Sequence, residues 1–93
     1  ISESMQTSSI RIYGKVQGVF YRKYTKEKAM ALGITGEVKN LPDGSVNIIA
    51  TGTAEQLAAL SDWARTGPAR AIVRAVEIKE EPLQTFASFT ITR

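Results

Sequence analysis

The sequence predicts an α+β fold, a ferredoxin-like α/β sandwich in which a four- to five-stranded, mainly antiparallel sheet carries two helices on one face. Three observations predict it. Strand-like and helix-like runs follow one another in the order β-α-β-β-α-β, with a closing run that can add a fifth strand. Each helical run carries a single apolar stripe, so both bury against one surface. A length of 93 residues supports one small two-layer core and not two. Split β-α-β units with right-handed crossovers leave few other arrangements.

The first strand covers residues 8–13, where Ile10 and Ile12 alternate with Arg11 and Tyr13 and the run ends at Gly14. Residues 1–7, with Met5 as the natural start, are set aside as a flexible N-terminal tail or processed remnant, and residues 8–93 form the single domain. Tyr21, Thr25, Ala29 and Leu32 then fall on one helical stripe, and Gly33 stands where a left-handed C-terminal cap is expected. Lys23, Lys26, Glu27 and Lys28 make the solvated face of that helix.

Residues 36–40 and 45–51 flank Leu41-Pro42-Asp43-Gly44, turn chemistry that predicts a hairpin. In its second arm Val46, Ile48 and Ala50 alternate with Asn47, Ile49 and Thr51, which defines the core face only in part. Thr53 and Gln56 form a capping box for a helix with Leu57, Leu60, Trp63 and Ala64 inward, stopped by Gly67-Pro68. Trp63 is read as a core anchor rather than a stacking platform. A strand over 71–79 places Ile72, Val76 and Ile78 on one side, Glu80-Glu81-Pro82 breaks it, and residues 86–93 close the chain with Phe89 and Ile91 in alternation.

Composition narrows the chemistry. The chain has no cysteine and no histidine, which removes thiolate nucleophiles, phosphohistidine, Ser–His pairs and the usual zinc ligands. The acidic residues are scattered rather than clustered as a hard-cation site requires, so no metal and no cofactor are expected. A net charge of +3, spread along the chain, favours a small anion over a nucleic acid. No apolar run spans a bilayer and no signal-peptide pattern opens the chain, so neither membrane nor nucleic acid is an expected partner. A cysteine-free chain fits a reducing compartment, and a cytoplasmic monomer is expected.

Two segments carry candidate chemistry. In the first, Gly14-Lys15-Val16-Gln17-Gly18-Val19-Phe20-Tyr21-Arg22, two glycines bracket a loop that ends in an arginine at a helix start. Unpaired N–H groups from Gln17 onward, the helix dipole and a guanidinium can converge there on a phosphate-sized anion. Gly14 and Gly18 would relieve a tight concave backbone, while Val16 and Val19 would pin the loop to the core. Spacing alone leaves a second reading open, an ordinary β-to-α connection with a surface arginine. In the second segment, Asn40 precedes Leu41-Pro42. Its amide can orient a water, since it both donates and accepts, or it can simply initiate the turn. Thr25, one turn after Arg22, either supports the site or faces the helix interior. Lys15 either steers anions or is a solvated charge, and Arg93 is a further candidate near the site.

These segments resemble the two signatures of the acylphosphatase family. Gly14-x-Val16-Gln17-Gly18-Val19-x-x-Arg22, with Thr25, Ala29 and Leu32-Gly33 after it, is similar to the first; Gly36-x-Val38-x-Asn40 followed by Asp43-Gly44-Ser45-Val46 is similar to the second. Gly67-Pro68 and Phe89-x-Ile91-x-Arg93 also fit, so the resemblance runs from Ile10 to the end. Glu37 stands where an aromatic residue is frequent, and Leu41 where a polar residue often follows the asparagine. The resemblance implies hydrolysis of a carboxyl–phosphate bond to carboxylate and inorganic phosphate by direct attack of water, without metal. It implies Arg22 as the phosphate-binding residue, Asn40 as the residue that positions water, and Lys15 to Tyr21 (Lys15, Val16, Gln17, Gly18, Val19, Phe20, Tyr21) as the phosphate loop. Inorganic phosphate would then be both product and competitive ligand.

Elementary chemistry agrees with a histidine-free site. A carboxylate is a weakly basic leaving group that departs with little help from a general acid. What remains is to neutralise phosphoryl oxygens and align water, tasks for positioning and electrostatics. An RNA-recognition module of the same element order is the main rival. It requires aromatic residues on a central strand, and residues 45–51 carry none. A regulatory domain of a larger carbamoyl-phosphate-using protein is a second rival.

Overall fold

Seven elements form in the order the apolar periods predict: β1 (Gln6–Lys15), α1 (Tyr21–Leu32), β2 (Thr35–Asn40), β3 (Val46–Gly52), α2 (Ala54–Thr66), β4 (Ile72–Glu81) and β5 (Phe89–Thr92). The structure is a computed structural model, and it describes residues 4–17 and 20–92. The strands make one sheet in the order β4-β1-β3-β2-β5. All neighbours are antiparallel except β2 and β5, which run parallel. The expected sandwich with its fifth strand is therefore present.

Alternation decides which side of the sheet is buried. Ile10 and Ile12 of β1, Val38 of β2, and Val46, Ile48 and Ala50 of β3 are fully buried against Tyr21 and Ala29 of α1 and Leu57, Leu60 and Ala64 of α2. Each such large aliphatic side chain contributes about 1.5–3 kcal/mol. The second hairpin arm thus takes its core face from Val46, Ile48 and Ala50, which resolves an ambiguity in the sequence. The opposite side of β1 is polar: Ser9 Oγ donates to Asn47 Oδ1 at 3.2 Å, the Tyr13 hydroxyl bonds Glu77, and the Arg11 guanidinium lies 5.3 Å from the Tyr13 ring centroid.

Local signals set the helix ends. Thr53 and Gln56 make the capping box, with Thr53 N donating to Gln56 Oε1 at 2.9 Å and Gln56 N to Thr53 Oγ1 at 3.2 Å. Gly33 closes α1 in the left-handed region.

Two expectations need correction. The strand read as starting at Ser8 starts at Gln6, and Thr7, assigned to the tail, is only 2% exposed. Residues 82–88 cross one end of the sheet between its two edge strands, and Thr7 and Thr51 hold that crossing: Gln84 N donates to Thr7 Oγ1 at 2.9 Å and Thr51 Oγ1 donates to Gln84 O at 2.8 Å. The crossing segment itself is mostly exposed, and the buried Thr7 and Thr51 hydroxyls beneath it find their partners in the Gln84 backbone. Ile1, Ser2 and Glu3 of the same tail lie outside the described residues.

The second correction concerns Gly14 and Ile72. Gly14 belongs to β1 rather than to a concave loop, and it marks a register shift against β4, where Tyr13 pairs with Ala75 and Gly14 with Val73. Arg74 is the extra residue, so alternation changes phase there. Val73 and Val76 pack against the core, whereas Ile72, expected inward, is 59% exposed. At the bulge Gly14 has φ 130°, and a Cβ on it would sit 2.1 Å from the Ile72 carbonyl oxygen. Gly14→Ala is accordingly expected to lose about 2 kcal/mol or more in a urea titration, because strain and backbone displacement act together. A loss of only a few tenths would contradict this account of the bulge.

Candidate active site

The C-terminal ends of β1, β2 and β5 and the N-terminus of α1 meet at one end of the sheet. They enclose a cavity of about 270 Å³ lined by Val16, Phe20, Tyr21, Arg22, Lys23, Asn40 and Ile91. The two segments singled out from sequence, far apart along the chain, contribute Arg22 and Asn40 to the same cavity.

Arg22 occupies the second position of α1. Its Nη1 donates to the Thr92 carbonyl at 3.3 Å, and Thr92 Oγ1 in turn donates to Glu37 Oε2 at 3.2 Å. A neutral carbonyl orients the guanidinium without cancelling its charge. Among the described residues Arg22 forms no salt bridge; Arg11–Asp43 is the pair present. The remaining N–H donors of the fork are available to oxygen atoms in the cavity.

Asn40 ends β2. Among the described residues its buried Oδ1 has no hydrogen-bond partner, an unusual state for an amide oxygen. Such an acceptor on a cavity wall suits a water molecule. The position of Asn40 is fixed from the turn side. Gln17 Nε2 donates to the Leu41 carbonyl at 2.8 Å and to the Ser45 carbonyl at 2.9 Å, tying the first loop to the hairpin turn. Leu41 N also donates to Ser45 O at 2.8 Å. Under the turn, Asp43 accepts from Ser45 N at 3.0 Å and Ser45 Oγ at 2.5 Å, and Arg11 Nη2 reaches its other oxygen at 2.5 Å.

The start of α1 is left open to an anion. Phe20 precedes it in the left-handed region (φ 61°, ψ 24°), makes no side-chain cap, and no acidic residue follows in the first turn. The first N–H groups and the positive end of the helix dipole are uncompensated by side chains. A phenylalanine in this conformation costs about 1–2 kcal/mol. Tyr21 fixes the helix start from below: its side chain is 1% exposed, and its hydroxyl donates to Ala64 O of α2 at 2.7 Å. Burial pushes the Tyr21 phenol well above its ordinary range, so it stays a neutral donor.

The remaining sequence candidates divide. Val16 is buried and lines the cavity, which matches its expected pinning role. Gln17 acts through its side chain as the clamp on the turn. Lys15 is exposed at the end of β1 and does not line the cavity. Thr25 is fully buried in α1 and does not line the cavity, and among the described residues its hydroxyl has no partner. Gly18, Val19 and Arg93 lie outside the described residues. Sequence reasoning missed Lys23 and Ile91 as wall residues and the Thr92 carbonyl as the partner of Arg22. The Phe89-x-Ile91-x-Arg93 ending was a signal for the last two. Among the described residues no three His, Cys, Asp or Glu side chains are grouped to hold a metal. No helix of the described residues is long and apolar enough to cross a membrane.

Comparison with known proteins gives a consistent result. The acylphosphatase family model matches residues 8–91. A curated acylphosphatase from Marinobacter nauticus is 51% identical over 82 residues, covering 87% of this chain and 89% of that protein. One from Shewanella amazonensis is 43% identical over 90 residues, covering 96% and 99%. The solved structure of an acylphosphatase from Coxiella burnetii superposes with a TM-score of 0.91 at 34% identity, covering 95% of this chain and 93% of that one.

The turn beneath Asn40 has a measurable pH signature. The Asp43 carboxyl is held at about 2, against an ordinary 3.8, by the Ser45 hydroxyl first, the Ser45 amide next and Arg11 after them. Because folding lowers this pKa, its stabilisation is present above about pH 4 and is lost as pH falls toward 2. Asp43→Asn should be less stable than the parent protein at pH 7, and the gap should narrow between pH 4 and pH 2. Urea midpoints across that range read it, and a gap independent of pH would refute the assignment.

Proposed function

The chain belongs to the acylphosphatase family and hydrolyses acyl phosphates, and on that premise we propose that Arg22 binds the phosphoryl group while Asn40 aims a water at it, with no metal involved. The observation that supports this reading is the placement of Arg22 and Asn40 on one cavity where, among the described residues, the first has no anionic partner and the buried oxygen of the second has no hydrogen-bond partner.

The phosphoryl oxygens of the substrate face the guanidinium and the free N–H groups at the start of α1, with Val16, Gln17, Gly18, Val19, Phe20 and Tyr21 as the loop that supplies backbone donors. Lys15 adds positive charge at the loop entrance, and Thr25 supports the helix from inside. Water held at the Asn40 amide attacks phosphorus in line. The phosphorus–oxygen bond to the acyl group breaks, and its electron pair leaves with the carboxylate. The proton of the water passes to a phosphoryl oxygen, giving inorganic phosphate. Asn40 is not a base in this scheme, and none is needed, because a carboxylate whose acid has a pKa near 4 leaves readily. Arg22 acts chiefly on charge that spreads over the phosphoryl oxygens in the transition state. The same reading makes inorganic phosphate a product that competes for the cavity, and takes the protein to work as a cytoplasmic monomer on free, small acyl phosphates.

Turnover of benzoyl phosphate should persist in excess chelator; its loss would end the metal-free part of the proposal. Arg22→Lys should lose most activity and weaken inhibition by inorganic phosphate, since an ammonium cannot make the two-pronged contact. Asn40→Ala should lose on the order of a hundredfold in kcat, comparable to removing one preorganised polar group, while phosphate inhibition stays within about twofold. Equal weakening of phosphate inhibition in both variants would show that the two roles are wrongly divided.

A further inference from the structure

A second concavity, of about 720 Å³, opens beside the active-site cavity and shares Phe20 with it. Tyr24 and Lys28 of α1, Trp63 of α2, and Pro68 and Arg70 of the segment before β4 form its other walls. Positions 20, 24 and 28 follow at four-residue spacing, so the start of α1 and the stripe below it line one continuous path. The Trp63 ring rests on Tyr21, with centroids 5.5 Å apart, which joins this groove to the first helical turn of the active site.

Packing accounts for Trp63, which rests against the core, but not for the other two aromatic residues of the groove. Phe20 is 67% exposed and Tyr24 is 44% exposed, so neither serves the core. Scattered exposed apolar residues are ordinary, but here they gather around one concavity at the mouth of a reactive site. Phe20 also holds a left-handed backbone that glycine or asparagine would adopt with less strain. Resting on the assignment of the phosphoryl group to Arg22, we propose that this groove receives the acyl part of the substrate and that it favours aromatic acyl phosphates. A phosphoryl group held at Arg22 must project its acyl group beyond the cavity, and Phe20 is the residue the two spaces share. An acetyl or carbamoyl group offers little apolar surface to a groove lined by Phe20, Tyr24 and Trp63. An aryl ring offers more and can stack in offset or edge-on geometry, which an aliphatic chain cannot reproduce. Lys28 and Arg70 outnumber Glu27 on the same groove, so its net charge also complements an anionic substrate.

The test compares benzoyl phosphate with acetyl phosphate for the parent protein, Tyr24→Ala and Tyr24→Phe. Tyr24→Ala should lose five- to tenfold in kcat/KM for benzoyl phosphate, chiefly through KM, the scale of one lost ring–ring contact. Its turnover of acetyl phosphate should stay within twofold, which also reports correct folding. Tyr24→Phe should keep most of the preference, because the ring and not the hydroxyl makes the contact. An unchanged ratio between the two substrates in Tyr24→Ala, or equal losses on both, would overturn the proposal. So would a dimer of the parent protein, seen by sedimentation, that Tyr24→Ala dissociates, since the groove would then hold a second copy. No turnover of either substrate by the parent protein would instead remove the hydrolytic premise, and this proposal with it.

Discussion

A single side-chain amide makes the site one object. Gln17 Nε2 reaches from the loop after β1 to two carbonyls of the β2–β3 turn, Leu41 at 2.8 Å and Ser45 at 2.9 Å. Without it, the loop that leads to Arg22 and the strand end that carries Asn40 would be joined only through the sheet beneath them. With it, the loop and the turn share a rigid contact at their tips. Under the proposed roles of Arg22 and Asn40 this matters, because misplacing either group by about an ångström can cost a factor of about a hundred. The turn is stiffened in its own right by Asp43, Ser45 and Arg11. The Arg11–Asp43 pair is 40% and 46% exposed and contributes little to stability as an ion pair, so the Ser45 bonds carry most of the constraint.

Charge follows the same logic. Arg22 is steadied by the last described carbonyl of β5 rather than by a carboxylate. A carboxylate there would satisfy the guanidinium and cancel the field that the phosphoryl oxygens require. Glu37 of β2 accepts from the Thr92 hydroxyl and is linked to Arg22 through Thr92. This gives the departure at position 37 from the family's frequent aromatic residue a structural use: it holds the strand whose backbone holds the arginine.

Much of the fold was readable because its signals are local. The capping box at Thr53, the glycine cap at Gly33 and the alternation of Ile10 and Ile12 each act within a few residues. What escaped was set by partners distant in sequence. Gly14 reads as a loop glycine, yet its need is the Ile72 carbonyl 58 residues on, and the bulge at that point turns Ile72 outward against its apparent alternation. Thr7 reads as tail because its partners, Thr51 and Gln84, are 44 and 77 residues away along the chain. At the site, an arginine at a helix start and an asparagine before a turn are visible locally, but local position left both open to ordinary structural readings, and the resemblance of two separate motifs to one family singled them out. The clamp by the Gln17 side chain and the Thr92 carbonyl were not visible, because a backbone acceptor has no letter in the sequence and an amide can satisfy many partners.

Two local costs fall beside the proposed site: Phe20 holds a left-handed backbone, and among the described residues the buried Asn40 oxygen has no protein partner. A third, the Thr25 hydroxyl, likewise without a partner among them, lies buried within α1. A sequence selected only for stability would relieve the first two, with glycine or asparagine at position 20 and an apolar or fully bonded side chain at position 40. The proposed function gives those two a use in the reaction. Phe20 ends the loop and starts α1 with no side-chain cap on its N–H groups, and the Asn40 amide borders the cavity in which the proposal places the attacking water. The clamp of Gln17 and the burial of Tyr21 are the stabilising terms that let the fold carry these costs, so the same few residues that define the site also define how much instability it can hold.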